Sequence, residues 1–271
     1  MSHAGLSYET RGRLAVIRLE RPDALNALTL EMIGGIETLA RQADADPAVF
    51  AICITGAGRG FCAGLDMSVL AEHAAGRAPD PGERTARRTM MFSFLMDITK
   101  PVIAAVNGVG AGGGFILAMM CDLRFMAQGA SLITVFSKRG LIAEHGASWI
   151  LPRMVGLSRA LDLLWSSRRI GAEEAWRIGL ADRVVPDDDL LTAVETYVED
   201  MAATVSPRAV AVMKAQVLAA LAQSFDEAAA DTAVVMAKAL AHPDAAEGAA
   251  SFVERRGPRF APWPASRGEA P

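Results

Sequence analysis

Two loops of small residues are the first feature that could support catalysis. The segments 56–66 (GAGRGFCAGLD) and 107–114 (NGVGAGGG) each follow a predicted strand and precede a predicted helix. Such loops present free backbone N–H groups at helix N-termini, and glycine and alanine let a substrate carbonyl approach the backbone closely. Two N–H groups aimed at one point form an oxyanion hole. The same composition is equally compatible with tight loop packing alone.

A nucleotide site is a second interpretation of the later loop. Gly108, Gly110 and Gly113 have the spacing G-x-G-x-x-G, which is typical of dinucleotide-binding turns. That fingerprint also expects an acidic residue about 20 positions further on. Residues 126–134 (MAQGASLIT) contain none. The sequence therefore disfavours a nucleotide site.

The elements around these loops indicate an α/β fold. Residues 14–19 and 49–55 are predicted strands, and Thr29 can cap a helix between them that runs to about Asp44. Further along, a strand at 102–106, a helix at 113–120 and a strand at 122–126 are predicted. Apolar strands alternating with helices predict sheets covered by helices. A short helix is expected after Asp66, and 74–89 is predicted to be a mobile excursion with little apolar pattern.

Beyond about residue 158 the pattern becomes helical. Only 182–185 looks like a strand, and Pro207 and Pro243 are placed at helix starts or breaks. Helices are predicted at 159–165, 172–178, 188–204, 208–221 and 225–241. We expect this helical tail to serve oligomerisation.

Composition limits the class of protein. The 271 residues carry a net charge of -4 and are 52% hydrophobic, which suffices for a large core and gives no electrostatic reason to bind nucleic acid. Residues 101–121 are uncharged, but Asn107 and five glycines favour a strand, a turn and a buried helix over a membrane span. Residues 1–13 predict no signal peptide, and three cysteines in apolar surroundings favour the cytoplasm.

Residues 54–66 and 101–122 resemble the two signature segments of the crotonase (enoyl-CoA hydratase/isomerase) superfamily. Segments 21–28 (RPDALNAL) and 248–256 (GAASFVERR) are similar to the family's N-terminal and C-terminal patterns. The resemblance implies a core of repeated ββα units at 1–200, which carries the oxyanion-hole loops. It also implies a C-terminal helical region at 201–271 that completes the CoA site and forms a homotrimer or a dimer of trimers.

The resemblance also implies roles for individual residues. The N–H groups of Ala63 and Gly113 would bind the thioester oxygen of an acyl-CoA and stabilise its enolate. Further residues would line the CoA path or lie near the CoA of a neighbouring subunit: Ala24, Phe61, Ala63 and Leu65 on the path, and Phe252 and Arg255 near the neighbour. Arg255 could instead be a solvated helix charge. No cofactor is implied beyond the CoA of the substrate, and the four histidines show no spacing typical of a metal site.

The sequence departs from the family pattern at both hydratase glutamates. Three residues after the oxyanion glycine the family's hydratases have a glutamate, and this chain has Ile116. The second glutamate falls near Phe136. An apolar side chain can neither hold water nor transfer a proton, so we expect Ile116 and Phe136 to shape an apolar acyl pocket instead.

Glu144 remains as the candidate acid or base. Other superfamily members carry an acidic residue at this position, and the flanking Gly140 and Gly146 predict a loop before a helix. The alternative is that Glu144 is a first-turn acid favoured by the helix dipole. His145, Asp66 and Cys62 are weaker candidates, each better explained by packing, capping or pairing.

Three functions stay open at this stage. The first is an acyl-CoA enzyme of the enoyl-CoA hydratase/isomerase type, with Glu144 as its acid or base. The second is an acyl-CoA binding protein without turnover, suggested by the two missing glutamates. The third is hydrolysis of a carbon–carbon bond in a β-dicarbonyl compound, which needs the oxyanion hole but not CoA.

Overall fold

A computed structural model describes residues 4–74 and 90–264. The excursion predicted at 74–89 lies outside the described residues, apart from Ala74 at the end of a helix. Within the described part, no helix is both long and apolar enough to cross a bilayer.

The larger of two sheets has six strands and confirms the α/β prediction. Its first two strands pair antiparallel as a hairpin, and all other neighbours in the sheet are parallel. The central strands are buried on both faces, which explains their uninterrupted apolar runs. Their spatial order is β1 (Leu6–Arg11), β2 (Leu14–Leu19), β3 (Ala51–Gly56), β5 (Val102–Val106), β7 (Leu123–Ala127) and β10 (Arg183–Val185).

A second, four-stranded sheet takes two of its strands from the segments predicted as glycine loops, and its other two from segments for which no strand was predicted. Its first three strands are parallel and its last pair is antiparallel. The strands are too short to show a periodic pattern, so the sequence did not predict them. Their order is β4 (Gly60–Cys62), β6 (Val109–Ala111), β8 (Ser131–Ile133) and β9 (Ile170–Gly171).

Helices cover the sheets and form the tail. The helices of the core are α1 (Leu30–Ala45), α2 (Met67–Ala74), α3 (Gly113–Met120), α4 (Ala147–Val155), α5 (Leu157–Ser166) and α6 (Ala172–Arg177). Those that follow are α7 (Leu190–Thr204), α8 (Pro207–Ala220), α9 (Phe225–Leu240) and α10 (Pro243–Glu254). Short 3-10 helices lie at Pro22–Ala24, Ser93–Asp97, Ser137–Arg139 and Asp187–Asp189.

The start of α1 shows how local sequence sets an element. The Thr29 side chain accepts a hydrogen bond from the Met32 N–H at 3.1 Å, which confirms the predicted cap. Ile36 and Leu39 face the core, whereas Leu30 is 53% exposed, although the apolar spacing placed it with them. Met32 in the same first turn is fully buried, so Leu30 lies on the exposed face of the helix.

Apolar packing and charged contacts fasten the C-terminal helices to the core. α7 buries Leu190, Val194 and Val198 against the large sheet, and the predicted boundary after residue 200 falls inside this helix. On α8, the Lys214 Nζ donates to Asp122 Oδ2 at 2.6 Å. α9 has no buried residue, whereas Ser251 on α10 and Trp263 beyond it are buried.

Candidate active site

The two glycine loops lie against each other, as an oxyanion hole requires. β4 of the first loop pairs with β6 of the second. Gly64 has a φ of +100°, and a Cβ there would lie 3.3 Å from the Gly113 nitrogen and 2.8 Å from the Ala111 oxygen. A Cβ on Gly114 would lie 2.1 Å from the Cys62 oxygen. Only glycine permits this approach of the two backbones.

Gly113 is the first residue of α3 and presents its N–H to a small cavity. The preceding Gly112 has a φ of +52° and offers no side-chain cap. Among the residues described, the Gly113 N–H has no acceptor, as expected at an uncapped helix start. The cavity measures about 50 Å³ and is lined by Gly64, Leu65, Gly112, Gly113, Thr134, Val135, Phe136, Arg139, Leu141 and Glu144.

The prediction that Ala63 supplies the second N–H is wrong. The Ala63 N–H donates to the Leu25 oxygen at 2.9 Å and is therefore taken. A parallel bridge joins Leu65 to Leu28 through the flanking groups, with Leu28 N–H bound to Gly64 and Asp66 N–H bound to Leu28. The central residue's own N–H then points away from its partner.

Leu65 is the residue that the loop presents in place of Ala63. Its N–H has no acceptor in the described part of the chain, and Leu65 lines the same cavity as Gly113. The sequence named Leu65 only for its side chain. A bridge between single residues gives no pattern that the sequence could have revealed.

Glu144 lines the same cavity as Gly112 and Gly113, although it follows them by about thirty residues in the chain. The α4 helix starts at Ala147, so Glu144 precedes it and the first-turn interpretation is wrong. The carboxylate makes no hydrogen bond or ion pair with a described residue. Because Glu144 and Gly113 line one small cavity, a carboxylate can reach a group held at the Gly113 N–H.

Of the two positions that lack glutamates, one lines the cavity and the other does not. Phe136 lines the cavity with its side chain 5% exposed, in agreement with an apolar wall. Ile116 is fully buried on α3 and is not among the lining residues, so the prediction that it shapes the pocket is wrong. Seven of the eight residues of α3 are buried, which leaves its start as the part that reaches the cavity.

The residues assigned to the CoA path or to a neighbouring CoA differ in their exposure to solvent. Phe61 is fully buried in β4 and packs against Gly110, so its side chain cannot line an open path. Ala24 is exposed on the 3-10 helix Pro22–Ala24. On α10, Phe252 is 85% exposed and Arg255 is exposed at the helix end, both away from the core.

Three weaker candidates have structural explanations. The His145 Nδ1 accepts a hydrogen bond from the Met91 N–H at 3.2 Å. Asp66 caps α2 through Ser68 and pairs with Arg21 at 2.8 Å. Burial raises the pKa of the Cys62 thiol to about 12, which disfavours a reactive thiolate.

Arg139 is a cavity residue that the sequence did not single out. Its guanidinium makes no hydrogen bond or ion pair within the described residues. The surrounding segment is unusual because Val135, a β-branched residue, has a φ of +69°. No motif marks an isolated arginine, so only its position in the fold identifies it.

Comparison with known proteins places this site in a family context. A family model described as enoyl-CoA hydratase/isomerase matches residues 9–262. A "probable enoyl-CoA hydratase" of Mycobacterium bovis is 36% identical over 263 residues, covering 96% of this chain and 99% of that protein. The 1,2-epoxyphenylacetyl-CoA isomerase of Escherichia coli is 32% identical, covering 94% and 97%.

A solved structure agrees at the level of the fold. The crystal structure of a "probable enoyl-CoA hydratase/isomerase" from Mycobacterium abscessus superposes with a TM-score of 0.86 at 33% identity. The superposition covers 95% of this chain and 98% of that one. The relatives carry the names of both hydratases and an isomerase, so likeness alone leaves the reaction open.

Proposed function

The chain belongs to the enoyl-CoA hydratase/isomerase family, and from that premise we propose a proton shift between carbons of an enoyl-CoA as its reaction. The observation that carries the proposal is the composition of the cavity. Glu144 is the single carboxylate among its lining residues and shares the cavity with Gly113 and Leu65. One carboxylate suffices to remove a proton and to return it.

The thioester carbonyl would sit between two backbone N–H groups. The N–H of Gly113 and the N–H of Leu65 would both donate to the oxygen, whose negative charge grows as the enolate forms. Removing one such donor typically costs about 3 kcal/mol of transition-state stabilisation. The dipole of α3 adds to this stabilisation because its positive end lies at Gly113.

Glu144 would transfer the proton. As a carboxylate it removes a proton from the γ carbon, and the electron pair moves through the double bond onto the thioester oxygen. The enolate then takes the proton back from Glu144 at the α carbon. Net atoms and charge are unchanged, and no water or second acid is required. Phe136 and Leu65 would give the acyl group apolar contacts beside this step.

Water addition at the β carbon is the second candidate reaction, supported by the hydratase names among the relatives. A panel of enoyl-CoA thioesters in deuterated water distinguishes the two. Isomerisation incorporates deuterium and shifts the double bond, whereas hydration gives the 3-hydroxyacyl product. Formation of the hydroxy product alone would overturn the proton shift.

We expect Glu144→Gln to lower turnover of every accepted thioester by at least about a hundredfold, since general acid–base catalysis contributes roughly that factor or more. Glu173→Gln, at an exposed position on α6, is the matched control and should keep full activity. Unchanged turnover in the Glu144 variant would contradict the proposed role.

The two other functions open at the start make distinct predictions. An acyl-CoA binder would bind thioesters by isothermal titration while deuterium exchange at the α carbon stayed at background. A β-dicarbonyl hydrolase would cleave a carbon–carbon bond and would not bind free CoA. Either result would replace the proposed reaction.

We also propose a homotrimer or a dimer of trimers, with the core at 1–200 and the tail at 201–271 as its two parts. The support is the tail's exposed apolar surface, which includes Phe225 at 86%, Leu240 at 70% and Val253 at 80% exposure. Phe252 and Arg255 would then lie near a neighbouring CoA. Light scattering gives the assembly, and Arg255→Ala should weaken CoA binding if the placement is right.

The cytoplasm is the proposed compartment. Its support is that Cys53, Cys62 and Cys121 are free and buried, which suits a reducing environment. Cell fractionation with an antibody against the chain tests this proposal.

A further inference from the structure

Arg139 places a positive charge, unpaired among the described residues, on the wall of the cavity beside Gly113. It and Glu144 are the two ionisable residues among those that line the cavity. No ion pair within 4 Å joins the two, and neither is bound by another described side chain. A guanidinium without a partner in the described part of the chain is available to bind an anionic oxygen, and its planar donors match a carboxylate.

The fold holds the segment before Arg139 in place through a chain of hydroxyl groups. The Thr134 Oγ1 donates to the Leu163 oxygen at 3.0 Å and lies 3.0 Å from the Ser167 Oγ. The Ser167 Oγ in turn lies 2.8 Å from the Ser137 Oγ. Thr134 and Ser167 are fully buried, so this contact is shielded from water.

The backbone conformation also indicates that the segment before Arg139 is held in one arrangement. Between Thr134 and the 3-10 helix Ser137–Arg139, Val135 adopts a φ of +69°. A β-branched residue in this region is strained, and such strain persists where the surroundings hold the chain in one arrangement. The hydroxyl contacts involve Thr134 and Ser137, on either side of this stretch, and so restrain the chain that leads to Arg139.

We infer that Arg139 selects acyl-CoA substrates whose short acyl group ends in a carboxylate. The inference rests on the proposed function, because it takes the cavity beside Gly113 as the acyl site. Arg139 and Gly113 line the same cavity of about 50 Å³, and Arg139 is exposed, so a short acyl group that begins at the Gly113 N–H can extend past Glu144 towards the solvent-facing side of the cavity. The thioester would meet Gly113, the reacting carbons Glu144, and the distal carboxylate Arg139.

The two charges also order the substrate along the cavity. Glu144 repels an anion, so the distal carboxylate is favoured on the Arg139 side alone. An uncharged acyl group gains nothing from Arg139. The expected signature is therefore a preference between acyl groups of equal length, and a general change in CoA affinity is not expected.

Isothermal titration with glutaryl-CoA and pentanoyl-CoA tests this inference. The two thioesters have acyl chains of the same carbon count and differ by a carboxylate in place of a methyl group, and both are saturated, so no turnover interferes. Because the Arg139 side chain is exposed, we expect about threefold to fivefold tighter binding of glutaryl-CoA at low salt. Arg139→Ala should abolish this preference, and Arg139→Lys should keep part of it.

Lys138→Ala is the matched control. Lys138 lies on the same 3-10 helix, is exposed and does not line the cavity, so its loss should leave the preference intact. Equal affinity of the wild-type protein for both thioesters would overturn the inference. So would an equal loss of affinity for both thioesters and for free CoA in Arg139→Ala, because that places Arg139 on the CoA.

Failure of the inference can be separated from failure of the proposed function. If neither thioester binds, the acyl-CoA function itself is contradicted. If both bind with equal affinity, only the role of Arg139 is lost. The deuterium exchange that tests Glu144 is independent of either result.

Discussion

The two walls of the cavity are built from different chemistry. The backbone wall consists of Gly64, Leu65, Gly112 and Gly113, which offer peptide groups. The side-chain wall consists of Thr134, Val135, Phe136, Arg139, Leu141 and Glu144. A thioester oxygen is common to all acyl-CoA molecules, so the backbone wall can serve any of them. The reaction and the choice of acyl group depend on the side-chain wall.

The difference has a consequence for what each wall tolerates. In the backbone wall the atoms are packed so closely that Gly64 has no space for a methyl group. The side-chain wall ends at exposed residues such as Arg139 and Leu141, which can change without disturbing the core. Relatives named for different reactions share the fold, as expected if chemistry varies on one wall and the other is retained.

Removal of one N–H from the backbone wall should have the largest effect. Gly113→Pro deletes the donor at the first position of α3, where proline is tolerated because that N–H has no helical partner. We expect kcat to fall about a hundredfold to a thousandfold. Gly113→Ala is the control, since its Cβ would make only ordinary contacts of 3.4 Å or more. Equal activity of the two variants would contradict the oxyanion role.

A substitution in the same wall at Gly64 should lower the free energy of unfolding. Gly64→Ala forces a side chain into a conformation with a φ of +100° and against the Ala111 oxygen at 2.8 Å. Strain at such a φ alone costs about 1–3 kcal/mol, so the free energy of unfolding should fall by about that amount or more. Urea unfolding measures it. Gly140→Ala also has a positive φ but no neighbour within 4 Å, so it should cost less.

A smaller effect is expected when the side-chain wall loses its restraint. Ser167→Ala removes the hydroxyl that joins Thr134 to Ser137, for which we expect a loss of about 1 kcal/mol in stability. KM for the acyl-CoA should rise while the rate of the Gly113-dependent step changes little. Ser166→Ala is the control because its hydroxyl bonds to the Asp162 oxygen on the exposed side of α5. A similar KM in both variants would show that the hydroxyl chain does not position the wall.

The smallest effect is a pH dependence at the edge of the backbone wall. The Ser68 N–H and the Arg21 guanidinium lower the pKa of Asp66 to about 2. Because the pKa of Asp66 is lower in the folded chain than its ordinary value near 4, the charged carboxylate stabilises the fold at pH values above about 4. This contribution is lost as the pH falls from about 4 to about 2. Acid unfolding of Asp66→Asn should lack this component. Asp23→Asn, exposed on the neighbouring turn, should retain it.

Much of the fold followed from local patterns. Strands at 14–19 and 102–106 and the helix at 113–120 match the structure, because long apolar runs and a capped helix are local signals. The hairpin strand Leu6–Arg11 was missed, since it is polar and exposed on most positions. The second sheet was missed because strands of two or three residues exist only through their partners.

The candidate site was predicted unevenly for the same reason. Gly113 and Glu144 were named from sequence, and both line the cavity. Ala63 was named as the donor, two residues before Leu65. The bridge between Leu28 and Leu65 decides which N–H faces the cavity, and the sequence does not reveal this bridge. Ile116 was assigned to the acyl pocket and Phe61 to the CoA path, but both side chains are fully buried.

The sequence by itself determined the family, the α/β class, the glycine loops and the absence of both hydratase glutamates. These are properties of residue type and order, which no packing can change. Among the described residues, the tertiary structure decided which backbone N–H groups are free, which acid shares a cavity with them, and that Arg139 lines this cavity without a partner. Those facts depend on contacts between segments far apart in the chain, where a shift of one residue reverses the direction in which a group points.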